Sequence, residues 1–273
     1  MNSCSFNFLI VGAQKGGTTA LAKFLSTHPQ ICIAPVKEVH FFDYEQNYQG
    51  DGSPWLGVPK PLSYPKPQTP HPSPQDRYHS FFPNCDSQLA VGEATPIYMY
   101  FPWIAERIQA YNPSMKLIIL LRHPVERAYS HYQMERARGW EWLPFPVAIR
   151  LEALRLHLAK YNSSERSSLR THSYGDRGFY SRQIQNLQRY FPKEQMLILL
   201  NEDLQNNHNQ TLQRVYQFLG VNSNVNLPVP ERVLSGDYQP MSQRDRNYLL
   251  RKYDREIDAI ASLLALNLDR WKI

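Results

Sequence analysis

Three groups of residues in this chain have the types and spacing to act on a phosphate ester. The run Gly12-Ala13-Gln14-Lys15-Gly16-Gly17-Thr18-Thr19 sets glycines around a lysine and ends on two hydroxyl residues. Glycine lets backbone N–H groups come close to an anion, and a helix that starts there adds its positive end. Lys15, Gly16, Gly17, Thr18 and Thr19 therefore form a candidate cradle, with Lys15 as its cation. Further along, Arg122 closes an apolar run, and a guanidinium there can fork two donors onto phosphate oxygens. Glu38 and His40, two residues apart, are the candidate proton acceptors. A carboxylate near pKa ~4.3 in water needs burial and charge to serve as a base, whereas imidazole titrates near neutrality unaided.

Elements must hold these groups in place, and their pattern is alternating α/β. Phe6 to Val11 is a short β-type run that leads into the cradle, and Thr18 to Ser26 reads as the helix after it, stopped by His28-Pro29. Ile31-Cys32-Ile33 reads as a short strand before the Lys37-Glu38 segment. Lys116 to Leu121 and Met196 to Leu200 are continuous apolar runs, the mark of parallel strands buried on both faces. Helices are expected at Ser181–Tyr190, at Thr211–Leu219 with Gly220 as its left-handed cap, and at about Ser242–Leu264. Gly12 and Gly17 have the spacing of a Gly-x4-Gly-Lys-Ser/Thr phosphate loop, but Thr18 stands at the lysine position and the lysine has moved forward to Lys15. Arg122 stands where P-loop NTPases often carry the aspartate that holds Mg²⁺. An arginine repels a metal, so the pattern points to two phosphates held by protein cations, with no metal site.

These stretches carry a family resemblance. Gln14 to Leu21 and Leu120-Leu121-Arg122-His123-Pro124-Val125-Glu126-Arg127-Ala128-Tyr129-Ser130 resemble the two cofactor motifs of sulfotransferases that use 3′-phosphoadenosine 5′-phosphosulfate (PAPS). Lys37-Glu38-Val39-His40-Phe41-Phe42-Asp43 resembles a third signature, that of the heparan-sulfate type, and Gly178-Phe179-Tyr180 and the stretch from Tyr190 to Gly220 follow the same type. The resemblance implies a P-loop-NTPase-like fold with a central parallel sheet flanked by helices. It implies that Lys15 and the cradle take the 5′-phosphosulfate, that Arg122 and Ser130 take the 3′-phosphate, and that Glu38 is the general base; His40 stays its competitor on the chemistry of imidazole. Glu93-Ala94-Thr95-Pro96-Ile97-Tyr98 resembles the acceptor-side segment, with Ala94 in place of a common lysine, a departure that counts against a glycosaminoglycan acceptor.

Composition bounds the rest. The 273 residues suffice for a single sulfotransferase domain over 1–273 with a proline-rich insertion at about 54–74. That proline density excludes helix and sheet, so the insertion reads as an extended loop, either a connector or a lid beside the acceptor. A net charge of +6 suits an anionic cofactor, yet nothing points to nucleic acid. Cys4, Cys32 and Cys85 are odd in number and lack C-x-x-C spacing, so neither a disulfide framework nor zinc is implied. Golgi members of the resembled family usually carry a C-terminal disulfide, and no cysteine follows Cys85. No apolar stretch is long enough to span a membrane, and a cytoplasmic protein is expected. The expected reaction moves a sulfuryl group from PAPS to a hydroxyl, or to an amine, of a small natural product or glycan, as in bacterial tailoring sulfotransferases. The competing readings are a Mg²⁺-dependent P-loop kinase and a non-catalytic nucleotide-binding module. Oligomeric state and the role of residues 140–174 are not written in the sequence.

Overall fold

The computed structural model describes residues 6–50, 55–57, 73–85, 87–160, 162–230 and 238–273. The interior of the proline-rich insertion, and Cys4, lie outside the described residues. In chain order the regular elements are β1 (Phe8–Gly12), α1 (Thr18–Leu25), β2 (Ile31–Ile33), a π-helical turn (Gln46–Gly50), α2 (Pro74–His79), β3 (Ala90–Ala94), α3 (Ile104–Tyr111), β4 (Lys116–Leu121), α4 (Pro124–Ala137), α5 (Phe145–Ala159), α6 (Ser168–Thr171), α7 (Tyr180–Gln188), β5 (Met196–Leu200), α8 (Asn201–Asn206), α9 (His208–Leu219) and α10 (Gln243–Leu264). They fall into two compact units, one of residues 1–121 with 187–234 and one of residues 122–186 with 235–273.

The first unit holds a five-stranded, all-parallel sheet in the order β2-β3-β1-β4-β5. Its apolar runs are strands because both faces are covered. Phe8, Ile10, Ile118, Leu120 and Leu199 face one core with Leu21, Phe24 and Leu25 of α1 and Leu212, Val215, Tyr216 and Leu219 of α9. The alternate residues Leu9, Val11, Leu117, Ile119 and Leu121 are equally buried on the opposite face. Strand order turns about β1, so the carboxyl ends of β1, β3 and β4 frame the crevice where open α/β sheets bind ligands. Gly220 closes α9 in the left-handed conformation at φ 78, and Ser242 caps α10 by accepting the Asp245 N–H.

The second unit is helical. Pro124 sits in the first turn of α4, and the His123 ring accepts the Val125 N–H as its cap. Arg127 is fully buried and donates to the Tyr174 carbonyl. Lys252 of α10 reaches Glu152 of α5 at 3.0 Å, and Tyr253 donates to the Gly175 carbonyl at 2.6 Å.

Two findings depart from the sequence reading. Cys32 and Cys85 form a disulfide, with Cα atoms 5.7 Å apart across a sequence separation of 53. Spacing alone could not show this, because strand pairing across β3 creates the proximity. Pro74, read as the end of the extended loop, instead opens α2 behind a capping box of Ser73 and Asp76.

Candidate active site

The cradle is built on the carboxyl end of β1. The Ala13 N–H donates to the Leu120 carbonyl at 3.0 Å, and the Gly16 N–H to the Ala13 carbonyl at 2.8 Å, which folds the loop back over β4. A side chain at Gly16 would fall on the Leu120 carbonyl oxygen, and one at Gly17 would fall on the Asn201 amide. Gly17 also needs φ 101, which glycine adopts without strain. Lys15 itself has φ 67, an uncommon conformation for a residue with a Cβ and one that the surrounding loop must hold. α1 begins at Thr18, and the Gly17 carbonyl takes the Ala20 and Leu21 N–H groups as the first helical acceptor. The N–H groups of Thr18 and Thr19 therefore have no intrahelical acceptor and point out of the helix start. This set of backbone donors plus one lysine fits a phosphate-bearing group.

Glu38 and His40 sit on the turn after β2, in the same unit. The Glu38 N–H donates to the Ala94 carbonyl at 3.1 Å, fixing the turn to the carboxyl end of β3. Both residues are left-handed, Glu38 at φ 62 and His40 at φ 57, so this turn too is held by its neighbours. His40 Nδ1 lies 2.9 Å from Asp43 Oδ2, and its Nε2 lies 3.6 Å from Glu38 Oε2. Lys37 Nζ is bonded to the other Glu38 oxygen. The His40 N–H points at the Thr95 hydroxyl at 3.4 Å, that hydroxyl donates to Glu93 at 2.6 Å, and the Phe41 N–H donates to the Tyr98 oxygen at 2.9 Å.

The charges in this cluster are set by competition. Burial works against the charged form of Glu38, but Lys37 and His40 outweigh it and hold the carboxyl well below the usual range. Burial likewise works against charged His40, yet Asp43 and Glu38 raise its pKa to about 9. At neutral pH the pair is thus carboxylate and imidazolium. Glu38 is free of its proton and His40 has no vacant nitrogen with which to accept one. Glu93, wholly buried, is pushed up by burial to about 7 despite its bonds to Thr95 and Tyr98.

The second unit carries the remaining candidates. Arg122 follows the last residue of β4 and precedes the α4 cap, and its carbonyl accepts the Tyr180 hydroxyl at 2.8 Å. Ser130 is buried in the second turn of α4. His123 is held near pKa 4 by burial and then by the Arg246 and Arg122 charges, so it stays a neutral cap. The structure brings Glu38 and His40 together around Asp43 and Thr95, while Arg122 and Ser130 share one helix start. Thr95 enters the sequence reading only within the acceptor-side segment, because its bonds to the His40 N–H and to Glu93 are made by the fold and by no motif spacing.

The family model of the sulfotransferase domain matches residues 6–235. The chain belongs to the sulfotransferase family. It is similar to the human bifunctional heparan sulfate N-deacetylase/N-sulfotransferase 2, at 29% identity over 78% of this chain and 22% of that protein. It is similar to the human heparan sulfate glucosamine 3-O-sulfotransferase 5, at 29% identity over 78% of this chain and 53% of that protein. The chain thus spans about half or less of the length of these curated relatives. Among solved structures, a sulfotransferase from Alicyclobacillus acidocaldarius superposes with a TM-score of 0.76 at 27% identity, covering 98% of this chain and 99% of that one. The expected parallel sheet with flanking helices is the fold observed.

Proposed function

We propose that this sulfotransferase moves a sulfuryl group from PAPS to a hydroxyl or amine of a glycan or small natural product, with all 273 residues forming one domain. The observation that carries the reading is the placement of Glu38, 3.6 Å from His40 Nε2 and anchored at the end of β3, beside a glycine-lined cradle at the end of the neighbouring β1. PAPS, when bound, supplies an activated sulfur whose bond to a phosphate oxygen breaks as the acceptor bond forms. Gly16, Gly17, Thr18 and Thr19 offer backbone donors to the phosphosulfate, and Lys15 meets the charge that grows on the leaving phosphate. Arg122 and Ser130 read the 3′-phosphate. Glu38 takes the acceptor proton, and His40, already protonated, orients Glu38 rather than competing for the proton. The relatives' names point to glucosamine-containing glycans as the first acceptors to try.

Calorimetry tests the reading. Adenosine 3′,5′-bisphosphate should bind about 10- to 150-fold more tightly than AMP, the worth of one charge-assisted contact of roughly 1.5–3 kcal/mol. Arg122→Ala should erase that difference. Equal affinities in the wild type would remove the role given to Arg122 and Ser130, and a strict Mg²⁺ requirement with ATP turnover would favour a kinase.

A further inference from the structure

The turn that carries Glu38 and His40 is gripped by side chains from outside its own motif. Trp55 donates its indole N–H to the Val39 carbonyl at 2.7 Å. Asn47, only 1% exposed, donates to the His40 carbonyl at 2.7 Å and to the Leu56 carbonyl at 3.1 Å, and accepts the Leu56 N–H at 3.0 Å. Gly57 lies against the His40 ring, where a Cβ would stand 2.5 Å from His40 Cδ2 and 2.9 Å from Tyr44. The Trp55 ring stacks on Phe41, with centroids 5.9 Å apart and planes at 9°, and Arg77 covers it at 5.3 Å. Residues 55–57 are the root of the proline-rich insertion: Trp55 bonds the base-bearing turn directly, Leu56 reaches it through Asn47, and Gly57 packs against the His40 ring.

These bonds fall on the carbonyls of Val39 and His40, between and on two residues with positive φ. A residue with a Cβ leaves that conformation unless its neighbours over-determine it. We propose that Asn47 and Trp55 are positioning residues for sulfuryl transfer, holding the Val39 and His40 carbonyls so that His40 bridges Asp43 and Glu38 and aims Glu38 at the acceptor. The root of the insertion is then part of the machinery that sets the base. The proposal rests on the assignment of Glu38 and His40 made above, and its test separates the two.

His40 faces Asp43 and Glu38 on its own turn, Lys37 through Glu38, Glu93 from β3, and the Tyr44 ring at 5.4 Å. Trp55→Phe and Asn47→Ala change none of these charges, so any change in how His40 titrates reports geometry. The 273-residue chain carrying each variant is compared with wild type by NMR of labelled histidine, assigned with His40→Ala. It is also compared by calorimetry with adenosine 3′,5′-bisphosphate and by kcat for transfer from PAPS to heparan sulfate. The His40 midpoint should fall by about one pH unit or more toward its ordinary value. Bisphosphate affinity should stay within about two-fold, and kcat should drop roughly 10- to 100-fold from misplacement of the base. Loss of stability alone, with midpoint and kcat unchanged per folded molecule, would make both residues merely structural and overturn the proposal. An ordinary midpoint in the wild type would overturn it as well. If Asn47→Ala does not fold, Trp55→Phe decides, since it removes one N–H and keeps the stacked ring. If Glu38→Gln stays active, the base assignment fails while the His40 midpoints still judge Asn47 and Trp55. If heparan sulfate is not accepted, the midpoints judge them alone.

Discussion

At the scale of single residues, the decisive feature is that Glu38 and His40 share charge instead of competing for a proton. Glu38→Gln keeps the size of the side chain but cannot accept the proton, so turnover should fall by on the order of 10²–10⁴ while bisphosphate binding persists. Assay of transfer from PAPS, with His40→Ala alongside, checks this. Loss of activity in His40→Ala with near-normal Glu38→Gln would give the proton to histidine. The same cluster makes stability depend on pH. His40 has a folded pKa near 9 against 6.5 for a free imidazole, so its contribution is complete below about 6.5 and is lost as pH rises through 9. Glu93, raised from 4.5 to about 7, also binds its proton more tightly when folded, so its share is lost between those values. Glu38, held low, contributes above its ordinary pKa and loses that contribution only in acid. Urea unfolding from pH 5 to pH 9 should therefore show stability falling up to about pH 7 as Glu93 loses its share and from about 6.5 to 9 as His40 loses its own, by at most about 3 kcal/mol for each group. A flat profile, or one that rises, would mean His40 is not held by its two carboxylates.

At the scale of elements, the cradle is where backbone space runs out. Gly17→Ala meets an amide side chain and an unfavourable φ, whereas Gly16→Ala meets the carbonyl of a central strand, which cannot step aside. Gly17→Ala should cost roughly 1–3 kcal/mol and Gly16→Ala more, with bisphosphate affinity lost in both. Thermal melts and calorimetry check the ranking, and a milder Gly16 variant would contradict it. Much of this architecture was legible in the sequence. Four of the five strands show as short apolar runs, since burial on both faces leaves no polar alternation, and Gly220 and Ser242 mark helix ends. β3 was not read as a strand, because Ala90-Val91-Gly92-Glu93-Ala94 carries one bulky apolar residue and a carboxylate. Gly92 is required there, as a Cβ would fall on the Phe8 carbonyl of the adjacent strand. Glu93 shows in the sequence only as part of the acceptor-side segment, and its full burial is revealed by the fold.

At the scale of the whole chain, the Cys32–Cys85 bond ties β2 to the segment before β3. Closing a loop of that length restricts the unfolded chain by about 4 kcal/mol in the entropy model. Reduction, or Cys32→Ser with Cys85→Ser, should lower the melting temperature measurably. Equal melts with and without reductant would mean the bond is not formed in solution. Such a bond is kept in oxidising compartments and rarely in the cytoplasm, so it weighs against the cytoplasmic placement read from composition. Among the described residues no helix is long and apolar enough to cross a membrane. The bond has one more consequence. Glu38, His40 and the entire proline-rich stretch lie inside the covalent ring it closes. Each doubling of such a stretch adds only about 0.6 kcal/mol of closure entropy. Evolution, or a protein engineer, could therefore exchange the residues beyond Gly57 for a longer or shorter graft and leave the phosphate loop, outside the ring, unaware of the change.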